Sequence, residues 1–196
     1  THEETIGATF VDFYSKLFTT SCPSELERVL EGVQPVVNDN MNADLTKPYV
    51  QEEVDVAIKQ MAPLKALGPD GMPPFFFQIF WPDIGRDVSE AVLSCLNSGT
   101  IVKSINHTFI TLIPKVKNPE TVAQFRPISL CNVIYKLISK TLANRLKAFL
   151  PLIITENQSA FTADRLITDN VLIAYELMHY LKHKKEGKDC FMATKL

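Results

Sequence analysis

The sequence has no paired-cysteine motif, no long apolar run, no internal repeat and no low-complexity segment. Its four cysteines, at 22, 95, 131 and 190, form no CxxC and share no metal-ligand spacing with the four histidines. That excludes a disulfide scaffold or a zinc ribbon, and the thiols are expected to be reduced, intracellular and mostly buried. No run approaches the roughly 18 apolar residues that span a bilayer, and no signal peptide opens the chain, so no membrane partner is expected. The aromatic cluster Phe75-Phe76-Phe77 to Phe80-Trp81 lacks interleaved Lys or Arg, and so reads as core rather than as a base-stacking platform.

What is present is enough for a core. The 196 residues are 46% hydrophobic, which suits one domain, or one and a piece. The net charge of −2 hides an asymmetry. Residues 1–100 hold 6 Lys and Arg against 15 Asp and Glu, while residues 101–196 hold 14 against 7. A basic C-terminal half is a plausible polyanion surface, although two halves that neutralise each other have the same composition.

Helical spacing of Ile6, Phe10, Phe13, Tyr14, Leu17 and Phe18 predicts an amphipathic helix over 4–19. Ser24-x-x-Glu27 starts a short second helix closed by Gly32, and 33–49 read as a loose polar connection. Val50, Val54, Ile58 and Met61 mark a helix with acidic residues in its first turns. Gly68-Pro69-Asp70-Gly71 is a turn, because Pro presets φ, Asp bonds its own backbone and Gly accepts positive φ. Asp83 is expected to N-cap a helix with the face Ile84, Val88, Ala91, Val92, Cys95 and Leu96, closed by Asn97-Ser98-Gly99.

Phe109 to Ile113 reads as a buried strand stopped by Pro114, with a second extended segment beginning at Phe125. If the two pair, Lys115 and Arg126 come onto one small surface, suited to an anion with several oxygens. On spacing alone they read equally as solvated flanks of a turn. The next helix, about 132–149, places Ile134, Ile138, Leu142, Leu146 and Phe149 on one face, with Arg145 in the middle of that stripe. Lys136, Lys140, Asn144 and Lys147 fall on the other side, either as a track for phosphates or as an ordinary solvated face. Beyond Pro151, Gln158-Ser159-Ala160-Phe161 is a short extended piece. A final helix from about Thr168 is apolar on most sides and is expected to be buried. Residues 182–188 form a basic turn, and Cys190-Phe191-Met192-Ala193 begins a strand.

In order, Lys65-Ala66-Leu67-Gly68-Pro69-Asp70-Gly71-Met72-Pro73, Ile110-Thr111-Leu112-Ile113-Pro114-Lys115, Phe125-Arg126-Pro127-Ile128-Ser129-Leu130-Cys131-Asn132, Leu142-Ala143-Asn144-Arg145-Leu146 and Gln158-Ser159-Ala160-Phe161 occur along the chain. Any one string is weak. The five together, over residues 50–196, resemble the reverse transcriptase of LINE-type non-LTR retrotransposons, in its plant-like form. Residues 1–49 resemble the helical connector upstream of the polymerase. The resemblance implies a helix-rich α+β fold, the fingers and start of the palm of a right-hand polymerase. It also implies RNA-templated DNA synthesis from dNTPs with Mg²⁺, an RNA template and a DNA primer as partners, and an intracellular protein.

By the same resemblance Lys115 and Arg126 would contact the dNTP triphosphate. Gln158, Phe161 and Arg165 would shape the nucleotide pocket and support the template, and Gly68, Asp70 and Gly71 would help hold it. Lys136, Lys140 and Lys147 are the further nucleic-acid contacts suggested by the basic stripe. The family's first metal-binding Asp follows the strand that begins at Cys190, and no Tyr/Phe-x-Asp-Asp occurs in the sequence. No catalytic or metal residue is therefore assigned, and the remaining palm and thumb are expected to lie outside this sequence. Leu67 replaces a usual Pro, and Asp164 replaces a usual Gly where its carboxylate would neighbour Arg165. A nucleic-acid-binding module without catalysis and a non-functional retroelement relic are the alternatives to a polymerase segment.

Overall fold

A computed structural model describes residues 2–24, 26–155, 158, 159, 162 and 164–184. Strand-and-helix order is α1 (His2–Phe18), α2 (Leu26–Leu30), α3 (Asp39–Thr46), α4 (Gln51–Lys59), α5 (Pro74–Ile79), α6 (Trp81–Ser98), α7 (Lys103–Asn106), β1 (Thr108–Pro114), β2 (Phe125–Cys131), α8 (Val133–Lys147), α9 (Leu150–Ile153) and α10 (Ile167–His183). Two compact units emerge, one of residues 1–35 with 46–144, the other of residues 36–45 with 145–196. The division runs through α3 and α8 and does not follow the 49/50 boundary read from the sequence.

The core of the first unit gathers Val54, Ala57, Ile58 and Met61, Phe77 of α5, Val92 and Cys95 of α6, and Val133, Leu137 and Ile138 of α8. α4, α6 and α8 contribute residues three or four positions apart, the pattern that buries one stripe, and α5 adds Phe77 alone. The end of α4 is closed by Gln78, whose Nε2 donates to the Ile58 and Met61 carbonyls at 2.9 and 2.8 Å. Trp81 Nε1 donates to Asp55 Oδ1 at 3.0 Å, tying α6 to α4. Gly99 ends α6 in the left-handed region at φ 69°, the usual glycine stop.

Several expectations need correction. Residues 39–46 form α3 rather than a loose connection, started by Asn38, whose Oδ1 accepts the Met41 amide at 2.9 Å. Asp83 lies inside the first turn of α6, because Pro82, which has no amide to donate, lets the helix begin at Trp81. The buried face of α8 is Val133, Leu137, Ile138, Thr141 and Arg145, whereas Leu142 and Leu146 are exposed. The apolar residues of α8 outnumber those the core can take, so periodicity pointed to a neighbouring face. α10, expected to be buried, exposes Val171, Leu172, Tyr175 and Leu177 at 58–67%. Cys22 is exposed and Cys131 half-buried, so only Cys95 among the described cysteines is a buried thiol. Residues 185–196, including the strand expected from Cys190, lie outside the described residues. No helix among the described residues is long and apolar enough to cross a membrane.

Candidate nucleotide and nucleic-acid interface

β1 and β2 pair antiparallel, from Thr108 opposite Cys131 to Pro114 opposite Phe125, with Arg126 opposite Ile113. The hairpin anticipated from sequence therefore forms, and its register decides which residues share a face. Side chains alternate along a strand and directly opposed residues point the same way. The Lys115 amide donates to the Gln124 carbonyl at 2.7 Å, extending the pairing by one step beyond Pro114. Lys115 and Arg126 are thus diagonal neighbours on one face, about 7–8 Å apart in a regular ladder.

The two cations differ in what holds them. Lys115 Nζ donates to the Ala123 carbonyl at 2.7 Å, so it also braces the loop of its own hairpin. That loop is further closed by Gln124, whose Oε1 accepts the amides of Glu120 and Thr121 at 2.6 and 3.2 Å. The Arg126 side chain is exposed and makes no hydrogen bond or ion pair among the described residues. Its guanidinium keeps its five donors for a ligand, and the fork matches phosphate oxygens.

β1 is not buried as expected. Phe109, Ile113 and Ile128, on the face that carries Arg126, are 41–55% exposed, and Ile110 is 48% exposed on the face that meets α1. That face carries Ile110, Leu112 and Phe125, and α1 lies against it. Phe10 meets Phe125 edge-on at 5.3 Å, and Tyr14 Oη donates to the Phe125 carbonyl at 3.4 Å. Phe10, Tyr14, Phe18, Ile110 and Leu112 line an apolar groove of about 460 Å³ between helix and strand. Arg126 stands on the other face, clear of α1.

The Gly68–Gly71 turn, expected to help hold a template, is docked onto the junction of β2 and α8. The Gly71 amide donates to the Gly68 carbonyl at 3.0 Å, closing the turn, and Gly71 takes φ 65°. A Cβ on Gly68 would fall 2.5 Å from Asn132 N and from the Cys131 carbonyl carbon and oxygen. Glycine is needed there for close approach of two backbones. Asp70 Oδ2 accepts the Val133 amide at 3.3 Å, and its Oδ1 accepts the Met72 amide at 3.3 Å. Asn132 completes the start of α8: its Oδ1 accepts the Tyr135 amide at 2.8 Å and its Nδ2 donates to the Ile105 carbonyl at 2.9 Å. Lys136 Nζ donates to the Ala66 carbonyl at 2.7 Å. Gly68, Asp70 and Lys136 therefore act together as a latch that fixes where the hairpin joins α8.

Beside that latch lies a groove of about 340 Å³ lined by Lys65, Lys136 and Lys140 with Gln60, Ser129, Tyr135 and Ser139. No carboxylate lines it. Three ammonium groups without a counter-charge favour an anion, and hydroxyls and an amide add hydrogen-bonding capacity. Ser129 and Cys131 belong to the strand face opposite Arg126, so the basic residues divide between two faces of the hairpin. Lys65 escaped the sequence reading because its partners are distant in the chain, and only folding gathers them.

In the second unit Arg165 is a clamp on its own loop. Its Nη1 donates to the Thr155 carbonyl and, at 2.8 Å, to the Gln158 carbonyl, while Nη2 reaches the Ile154 carbonyl at 3.5 Å. The guanidinium is thus engaged with backbone, and Asp164 does not pair with it. Asp164 occupies φ 63°, the left-handed region where glycine fits best. The Gln158 side chain and Lys147 are exposed. Phe161 lies outside the described residues. Arg145 is buried, and its Nη1 donates to the Leu45 carbonyl at 3.1 Å, the partner that its place in an apolar stripe demanded.

No protein-family model matches the chain. Over 172 residues, 87% of the chain, it is 30% identical to the Transposon TX1 uncharacterized 149 kDa protein of Xenopus laevis. The matched stretch is 13% of that protein, so the chain spans a small part of its curated relative. The chain is thus related in sequence to a transposon protein.

Proposed function

We propose that this chain is the fingers region and palm entrance of a retrotransposon reverse transcriptase, and that Lys115 and Arg126 hold the triphosphate of an incoming dNTP. The carrying observation is the hairpin register, which makes the two cations diagonal neighbours on the face that α1 leaves clear. The five ordered motifs and the relationship to a transposon protein support the same reading. The role of these residues is electrostatic: they bind and orient a polyanion, the positioning share of phosphoryl transfer. Mg²⁺, when bound in the parent enzyme, would activate the primer hydroxyl and neutralise the leaving pyrophosphate. The described residues do not fit that pair of ions. No three ligating side chains gather among them, and the Asp70 and Asp169 carboxylates already accept backbone amides. Bond making is therefore not assigned to this segment.

The test is titration of the chain with a dNTP and with the corresponding nucleoside. Replacing Arg126 by Ala is expected to weaken dNTP binding about tenfold or more, the size of a lost hydrogen bond to a charged group, and to leave nucleoside binding unchanged. Equal dNTP affinity in wild type and R126A would overturn the assignment. The lysine groove supports a second reading, a nucleic-acid-binding module that works through Lys65, Lys136 and Lys140 without catalysis. It requires affinity for single-stranded nucleic acid that falls steeply with salt.

A further inference from the structure

His179 and His183 stand one turn apart in the last turns of α10, and both are exposed. Their ring centroids are 4.1 Å apart, with the planes inclined by 33°. His183 Nδ1 lies 2.8 Å from the His179 carbonyl oxygen. A carbonyl only accepts, so the contact requires a proton on Nδ1, and in the neutral ring Nε2 is then the nitrogen with a lone pair. A backbone carbonyl holding Nδ1–H in this way is the usual device that orients a ligating imidazole. Glu176, three residues before His179, lines with both rings an open cavity of about 400 Å³.

We propose that His179 and His183 form a two-imidazole chelate for a borderline divalent transition metal such as Ni²⁺, Cu²⁺ or Zn²⁺. Imidazole suits these metals, whereas Mg²⁺ and Ca²⁺ prefer an all-oxygen shell, and Glu176 is the one carboxylate among the described residues lining this cavity. Metal–nitrogen bonds of about 2.0–2.1 Å place two ligating nitrogens no more than about 4.2 Å apart. Two exposed imidazoles one helical turn apart reach that spacing by turning from their present face-to-face pose so that both lone pairs aim at one ion. Water fills the remaining positions, and Glu176 accepts a hydrogen bond from it. No group of three ligating side chains occurs among the described residues, so the affinity is that of a bidentate site. Lys182 and Lys184 flank the pair and oppose the cation, although Lys184 Nζ lies toward the Tyr180 ring, 5.9 Å from its centroid. The site is separate from the hairpin and does not rest on the polymerase reading.

Calorimetric titration of the full chain with Ni²⁺ tests it, with circular dichroism to confirm equal helix content in each variant. One ion per chain is expected. His179→Gln and His183→Gln should each weaken binding by about tenfold or more, as loss of support at metal sites does. A His2→Gln, His107→Gln double variant should bind as wild type. Cu²⁺ should give an electron paramagnetic resonance spectrum split by two nitrogens, reduced to one in either single variant. Unchanged Ni²⁺ affinity in H179Q and H183Q, or loss of binding in the His2 and His107 variant, would overturn the proposal.

Discussion

The Asp70 carboxylate accepts the Val133 amide at 3.3 Å, joining a turn to the start of a helix 63 residues later. With Asn132 it satisfies two of the orphan amides that every helix start presents. This bond changes the meaning of the Gly68–Gly71 turn from a surface loop to a structural latch. Asp70→Ala should lower stability by about 1 kcal/mol, the worth of a helix cap, read as a shift in the denaturant midpoint. An effect on nucleic-acid affinity with stability unchanged would refute the latch.

The two glycines of the turn should respond differently. Gly68→Ala forces a methyl against the backbone of Cys131 and Asn132, which cannot rotate away, and should cost about 1–3 kcal/mol as overpacking does. Gly71 has open space around it and is constrained only by φ 65°, so Gly71→Asn should be tolerated and Gly68→Asn should not. Thermal unfolding of the three variants separates the two causes.

Lys140 lines the basic groove and its side chain makes no hydrogen bond among the described residues, whereas the Lys136 side chain is also bonded to Ala66. If single-stranded nucleic acid occupies the groove, Lys140→Gln should reduce the slope of log affinity against log salt by about 0.7 without loss of stability. Lys136→Gln should lower both slope and stability. An unchanged slope in K140Q would remove the groove from the interface.

Asp164 holds φ 63°, outside the regions that L-residues favour, although Asp tolerates it better than most. Asp164→Gly should be neutral or stabilising by up to about 1 kcal/mol, because relief of strain offsets the extra freedom of the unfolded chain. Asp164→Val should destabilise, since a β-branched side chain disfavours that region strongly. Midpoints in the order Gly, Asp, Val are the expected result.

Arg145 is buried beside the Leu45 carbonyl, to which it donates. Arg145→Met keeps much of the volume but leaves that carbonyl without this donor, at a cost of about 1–3 kcal/mol by urea denaturation. Arg145→Lys should recover only part of the loss, because an ammonium lacks the planar fork.

Periodicity alone located α1, α4, α6 and α8, because an amphipathic stripe records the need to bury one face. The hairpin was legible too, since an apolar run, a proline stop and a second extended run are local signals. The buried status of its strands was not legible. Phe109 and Ile113 are as apolar as core residues, yet their exposure depends on whether another element covers that face. The same holds for α10, whose all-round apolar sequence states a demand for burial without naming what meets it.

The turns at 68–71 and 97–99, and the two cations beside the hairpin, follow from backbone preference and residue spacing and are legible in the chain alone. What each polar group does follows from its surroundings in the fold. Asp70, Lys136 and Arg165 carry the same charges wherever they stand, but long-range approach or loop closure engages them with backbone groups, while Arg126 faces outward on the strand. A charge becomes structural or available according to its nearest hydrogen-bond partner, and folding chooses that partner.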